Sequence, residues 1–120
     1  MPSTTDTKGV RIAATLPPIA LLAQAVTAGL LLSVPGGRTA HFATIPLVLL
    51  TEVVLLVVAL VAWRRSGSTP RLAVFGVLLL AVTIAEAVLG AAGVTALHVP
   101  LGALLLGVSF AAAATAWNRR

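Results

Sequence analysis

Four continuous apolar runs, at 12–34, 39–63, 71–92 and 96–117, leave this chain little choice of fold. Helical rise is 1.5 Å per residue, so about 20 residues cross the ~30 Å hydrocarbon core of a bilayer. Each run reaches that length, and only short polar stretches separate them. Hydrophobic residues make up 59% of the chain and charged residues only 9%. A soluble domain carries roughly a quarter charged residues, so this one has too little polar surface to cover a globule in water. The expected fold class is all-α, an up-down-up-down bundle of four transmembrane helices in the inner or plasma membrane.

Residues 1–11 read as a cytoplasmic polar tail, with Asp6 and Lys8. The run 12–34 is too long for a signal-peptide core and lacks a following small-x-small cleavage site, so it is read as the first span. Pro17 and Pro18 are expected in its first turns. Pro35-Gly36-Gly37 is turn chemistry, and Arg38, Thr39 and Ala40 lead into the second span. That span ends at Trp63, an interfacial aromatic, followed by Arg64 and Arg65. A polar loop over 66–70 precedes the third span. Gly93 ends that span, and Thr95 is expected to cap the fourth, with Pro100 in its first turn. Trp117 is the matching belt residue, and 118–120 form a basic end.

The net charge of +5 is a matter of topology, because basic residues sit at the ends of the apolar runs and form no stripe for nucleic acid. With both termini cytoplasmic, the inner side collects Lys8, Arg11, Arg64, Arg65, Arg71, Arg119 and Arg120, and the outer side holds only Arg38. The chain has no cysteine, which excludes disulfides, thiolate metal sites and cysteine nucleophiles. It also carries no phosphate loop, catalytic triad or metal-hydrolase motif, so an enzyme is not the expected class.

The two halves read as a degenerate repeat of two parallel helix hairpins. Ala23-Gln24-Ala25-Val26 matches Ala85-Glu86-Ala87-Val88. Each is followed by a glycine-containing turn, a histidine and a proline: His41 with Pro46, His98 with Pro100. Each half closes on Trp and basic residues. The pseudo-two-fold axis would run along the membrane normal. His41 and His98, the only histidines, would then face each other near the outer surface. A histidine at a helix mouth is often just a wet interfacial residue. Two facing imidazoles inside a bundle also suit axial ligation of a haem iron. Gly29, Gly90, Gly93 and Gly102 would let the macrocycle approach backbone, and Arg38 would pair with a propionate.

The segment EAVLGAAGVTALHVPLGALLLG, and more loosely HFATIPLVLLTEVVLLVVALVAWRR, resembles the haem-binding four-helix halves of haem A synthases. It is also similar to small cytochrome-b-type membrane proteins with one histidine per repeat. The resemblance spans about 20–117 and implies a b-type haem held by His41 and His98, in electron transfer or a redox or assembly subunit. The chain departs from the synthases in having four spans rather than eight. Glu52 also lies eleven residues after His41, ~16 Å deeper along the helix. The resemblance therefore implies the haem scaffold without the synthase chemistry.

Glu52, Glu86 and Gln24 form a second polar set. No basic residue is expected at their depth, so the carboxyls should be neutral and hydrogen-bonded between helices. Thr27, Thr44, Thr51 and Thr83 are expected to bond backbone carbonyls. Two other functions fit these residues. One is an accessory subunit without a cofactor, packed in a larger membrane complex or on a second copy of the chain. The other is a small proton-coupled exporter using Glu86 or Glu52, superficially similar to small multidrug resistance transporters. Those keep their glutamate in the first helix, where this chain has Gln24.

Overall fold

The computed structural model describes residues 4–67 and 70–118. Four helices account for nearly all of it: α1 (Thr4–Ser33), α2 (Gly37–Ser66), α3 (Arg71–Ala91) and α4 (Thr95–Trp117). Each is long and apolar enough to cross a membrane. The bundle measures 52 × 20 × 20 Å. Each helix packs against its chain neighbours and α1 closes on α4, while neither diagonal pair makes a close backbone approach among the described residues.

Polarity is inverted relative to a soluble bundle. Leu32 and Val99 are 86% and 66% exposed, while Glu52 and Ser109 are fully buried and Thr51, Thr83 and His41 nearly so. Apolar side chains face outward because lipid is their solvent, and polar ones turn inward to find partners. The interior apolar core is built on Leu55, Leu79, Val48 and Leu105 from three helices, with Ala14 and Pro17 from α1. This is a multi-pass membrane protein fold.

Several boundaries differ from the sequence expectation. The helix α1 begins at Thr4 rather than residue 12, so most of the expected polar tail is helical. Arg11 and Thr15 tie this extension to α4: the Arg11 Nη2 donates to the Trp117 carbonyl at 3.3 Å, and the Trp117 indole N–H to Thr15 at 3.0 Å. Trp117 is thus a clasp as well as an exposed aromatic. Pro17 and Pro18 consequently sit mid-helix, both buried, instead of in the first turn. Buried prolines are tolerated in membrane helices because neighbouring groups and local adjustments take up the freed carbonyls. The helix α2 continues past Trp63 through Arg64 and Arg65, whose charges suit its C-terminal dipole, and closes on left-handed Gly67. Residues 1–3, 68–69 and 119–120, which include part of the expected tail, loop and basic end, lie outside the described residues.

The two turns that fix the site are glycine-built. At the end of α3 the Val94 N–H bonds the Leu89 carbonyl and the Gly93 N–H bonds that of Gly90, a Schellman closure with Gly93 left-handed at φ 73°. Thr95 is therefore not a cap. Val94 holds that position and Thr95 opens the helix, because the closure consumes the residues a cap would need. Pro100 falls accordingly in the second turn of α4. Between α1 and α2, Gly36 is left-handed, and a Cβ on Gly37 would collide with the Leu30 carbonyl.

Gly93→Ala is expected to lower stability by about 1–2 kcal/mol, the penalty of a left-handed alanine. Gly37→Ala should do at least as much damage through the collision, and Gly29→Ala, whose Cβ meets open space, almost none. Thermal unfolding in detergent, followed by helical circular dichroism, reads all three.

Candidate functional site

Antiparallel packing across the two turns brings six polar side chains together at the turn end of the bundle. They are Gln24 and Thr27 from α1, His41 and Thr44 from α2, Glu86 from α3 and His98 from α4. Thr27 and Thr44 lie three residues after Gln24 and His41, so each helix presents its pair on one face.

The His41 ring lies against α1, with Nε2 3.3 Å from the Gln24 amide nitrogen and Nδ1 3.3 Å from the Thr27 hydroxyl. The network fixes the proton. Thr44 donates to the Gln24 amide oxygen, which leaves the Gln24 nitrogen to donate. His41 Nε2 must then accept, and its proton sits on Nδ1, donated to Thr27. Thr27 passes its own proton to the Gln24 carbonyl at 2.9 Å.

His98 is held on α3. Its Nδ1 lies 2.8 Å from the Glu86 carboxylate and 3.0 Å from the Glu86 carbonyl. Both are acceptors, so Nδ1 carries a proton, and in the neutral ring Nε2 then holds the lone pair. Two glycines make room for this pair. A Cβ on Gly90 would stand 2.6 Å from His98 Cε1, and one on Gly102 would stand 3.1 Å from Glu86 Oε1. The contact His98–Glu86 between α3 and α4 has its counterpart in His41–Gln24 between α1 and α2. The matched pairs of the two half-sequences thus meet in the same combination.

His41 and His98 come from diagonally opposite helices, and their rings meet at the bundle centre. The ring centres are 6.3 Å apart with planes at 87°. Both rings are in the same tautomer, each with its lone pair on Nε2. Beside them Phe42 packs on His41 at 6.4 Å, and the exposed Arg38 guanidinium stacks 5.5 Å over Phe42.

The other residues singled out from sequence divide into two groups. Gly90 and Gly102 lie in the site, as spacers for the histidine and the carboxylate. Gly29 and Gly93 do not face it closely: a Cβ on either meets nothing within 4 Å, and Gly93 serves the turn. The expected set Glu52–Glu86–Gln24 is not one cluster. The Schellman turn folds α4 back on α3 so that residue 98 stands beside residues 86 and 90. Glu86 therefore has an imidazole partner, contrary to the expectation that no basic group reaches its depth. Gln24 belongs to His41. Glu52 lies deeper, sealed in the core, where Thr83 donates to its Oε1 at 2.7 Å and its Oε2 has no hydrogen-bond partner among the described residues. The threonines were undervalued by the sequence reading. Thr27, Thr44 and Thr51 bond backbone carbonyls as expected, but Thr27 and Thr44 also contact His41 and Gln24, and Thr83 donates to Glu52. The i,i+3 spacing of Thr27 and Thr44 was the clue.

Among the described residues, no three His, Asp or Glu side chains converge as a metal-ion set. The donor set is two imidazole nitrogens. Comparison with protein-family models, curated proteins and solved structures found no match to this chain.

Removing one partner of a buried hydrogen bond strands the other, at about 1–3 kcal/mol. Thr83→Val is expected to destabilise by that amount through Glu52. The double variant Thr83→Val, Glu52→Leu should recover most of the loss. A double-mutant cycle in detergent unfolding checks it, and simple additivity of the two changes would refute the coupling.

Proposed function

We propose that this chain is an integral-membrane b-type haem protein, with His41 and His98 as the axial ligands, serving electron transfer or acting as a redox or assembly subunit. The observation that carries the reading is the meeting of the two rings across the bundle diagonal. An imidazole–metal bond is about 2 Å and a ring centre lies roughly 1.1 Å behind its nitrogen, so two imidazoles on one metal place their centres ~6 Å apart. The separation in the bundle is 6.3 Å, so His41 and His98 could both reach one such metal.

The donor chemistry fits as well. Two ligands are too few to hold a bare ion, and they suit an iron that brings four more donors in its own macrocycle. With Nδ1 donating in each, the neutral rings carry their lone pairs on Nε2, the nitrogen a metal would take. Glu86 and Thr27 hold the opposite nitrogens, as outer-shell partners of ligating histidines do. Haem supplies one-electron chemistry when bound. The protein's part is to keep two neutral imidazoles aligned and the surroundings apolar, which sets the potential.

The correspondence of His41–Gln24 with His98–Glu86 supports the parallel-repeat reading, in which the site lies toward the outer face and both termini are cytoplasmic. The exporter reading needs a carboxylate free to exchange its partner. Glu86 is already engaged by His98 and Glu52 is shut off from solvent, so the geometry favours the histidine site.

The experiment is an absorption spectrum of the protein purified in detergent from cells supplied with ample haem. The expected result is a Soret band with sharp α and β bands on reduction, the pattern of low-spin six-coordinate haem. A colourless protein would overturn the reading, as would a His41→Ala, His98→Ala double variant that still binds haem like the wild type.

A further inference from the structure

The two histidines are not held alike, and the difference has a chemical consequence. His98 Nδ1 faces two acceptors, one of them a carboxylate, at 2.8 and 3.0 Å. His41 Nδ1 faces a hydroxyl at 3.3 Å. A hydrogen bond to a carboxylate is charge-assisted and shorter than one to a neutral oxygen. It leaves more electron density on the imidazole and makes Nε2 the more basic ligand.

The Nε2 atoms differ too. His41 Nε2 accepts from the Gln24 amide, and Gln24 is itself fixed by Thr44. A metal at that nitrogen must displace the amide. No hydrogen bond holds His98 Nε2 among the described residues. The glycine at position 90 also lets the His98 ring lie against the α3 backbone, where a side chain at 90 would push it out of place. Gly102 gives the Glu86 carboxylate its room.

We infer that the ligands are unequal: His98 is the strong anchor, with Glu86 as its positioning residue, and His41 is the exchangeable ligand that Gln24 competes for. This rests on the haem reading above for its metal, but the role of Glu86 toward His98 does not. The exchangeable side is thus α1–α2, where a small neutral ligand such as carbon monoxide would enter in place of His41.

Two measurements test this. In the protein without haem, nitrogen-15 NMR of labelled histidines should show His98 locked as the Nδ1–H tautomer. In Glu86→Leu, where only the backbone carbonyl of residue 86 is left to accept, that preference should weaken, and in Glu86→Gln, whose amide oxygen still accepts, it should persist. A tautomer indifferent to Glu86→Leu would overturn the positioning role whether or not haem binds. In the haem-loaded protein, His41→Ala should retain haem, become five-coordinate and take up carbon monoxide on reduction. His98→Ala should bind haem at least roughly 10-fold more weakly than His41→Ala, since losing the outer-shell partner of a ligand alone costs about 10–100-fold. Glu86→Gln should raise the midpoint potential, since a weaker acceptor leaves a poorer donor at Nε2. Equal haem loss in the two histidine variants, with circular dichroism showing both folded, would overturn the inequality. Failure of every variant and of the wild type to bind haem would count against the function, while the tautomer measurement would still decide the role of Glu86.

Discussion

Inside a bilayer no water rescues a polar side chain, and that constraint organises everything in the interior of this bundle. Six polar side chains at the turn end and two deeper ones are each placed where another helix supplies a partner. His41 meets Gln24 and Thr27, His98 meets Glu86, and Glu52 meets Thr83. In water these contacts would compete with solvent and be worth little. Between lipid-facing helices the alternative partner is hydrocarbon, so they help set which faces of the helices turn inward.

Tight turns convert that pairing into geometry. The Schellman closure at Gly93 and the collision-limited approach at Gly37 join consecutive helices so closely that their last and first turns pack side by side. The histidines, a turn or so beyond the start of α2 and α4, are thereby carried to the bundle centre from opposite corners. Neither diagonal pair of helices makes a close backbone approach, so side chains fill the middle of the bundle at this end. Two imidazole rings from opposite corners meet there, 6.3 Å apart between centres.

The four helices were legible because the apolar runs exceed the length needed to span a bilayer, and no other reading accommodates them. Their ends were less so. Nothing in residues 4–11 distinguishes a helical extension from a tail, and what keeps it helical is α4, through Trp117 with Arg11 and Thr15. The facing histidines were legible from the match between the two half-sequences. The Glu86–His98 contact was not, since the depth of each was counted along its own helix and never across the turn. Once Gly93 folds α4 back, twelve residues of sequence separation become a 2.8 Å contact. Glu52–Thr83 was hidden for a different reason: it joins α2 to α3, across a connection whose length says nothing of register.

Positions 24 and 86 show how an amide and a carboxylate at corresponding places in two helix pairs can act differently on a histidine. Gln24 and Glu86 stand at matched places and each faces a histidine, but an amide can donate while an ionised carboxylate only accepts. The amide can therefore compete for the very nitrogen a metal would use, whereas the carboxylate takes the other nitrogen and leaves that one open. The two histidine contacts thus differ in chemistry although each joins a helix to its chain neighbour. The small residues follow the same division: Gly90 and Gly102 are pressed against the His98–Glu86 pair, while Gly29, at the matching end of α1, borders open space. Glycine at 90 and 102 thus makes the room in which the His98 ring and the Glu86 carboxylate lie against neighbouring helices.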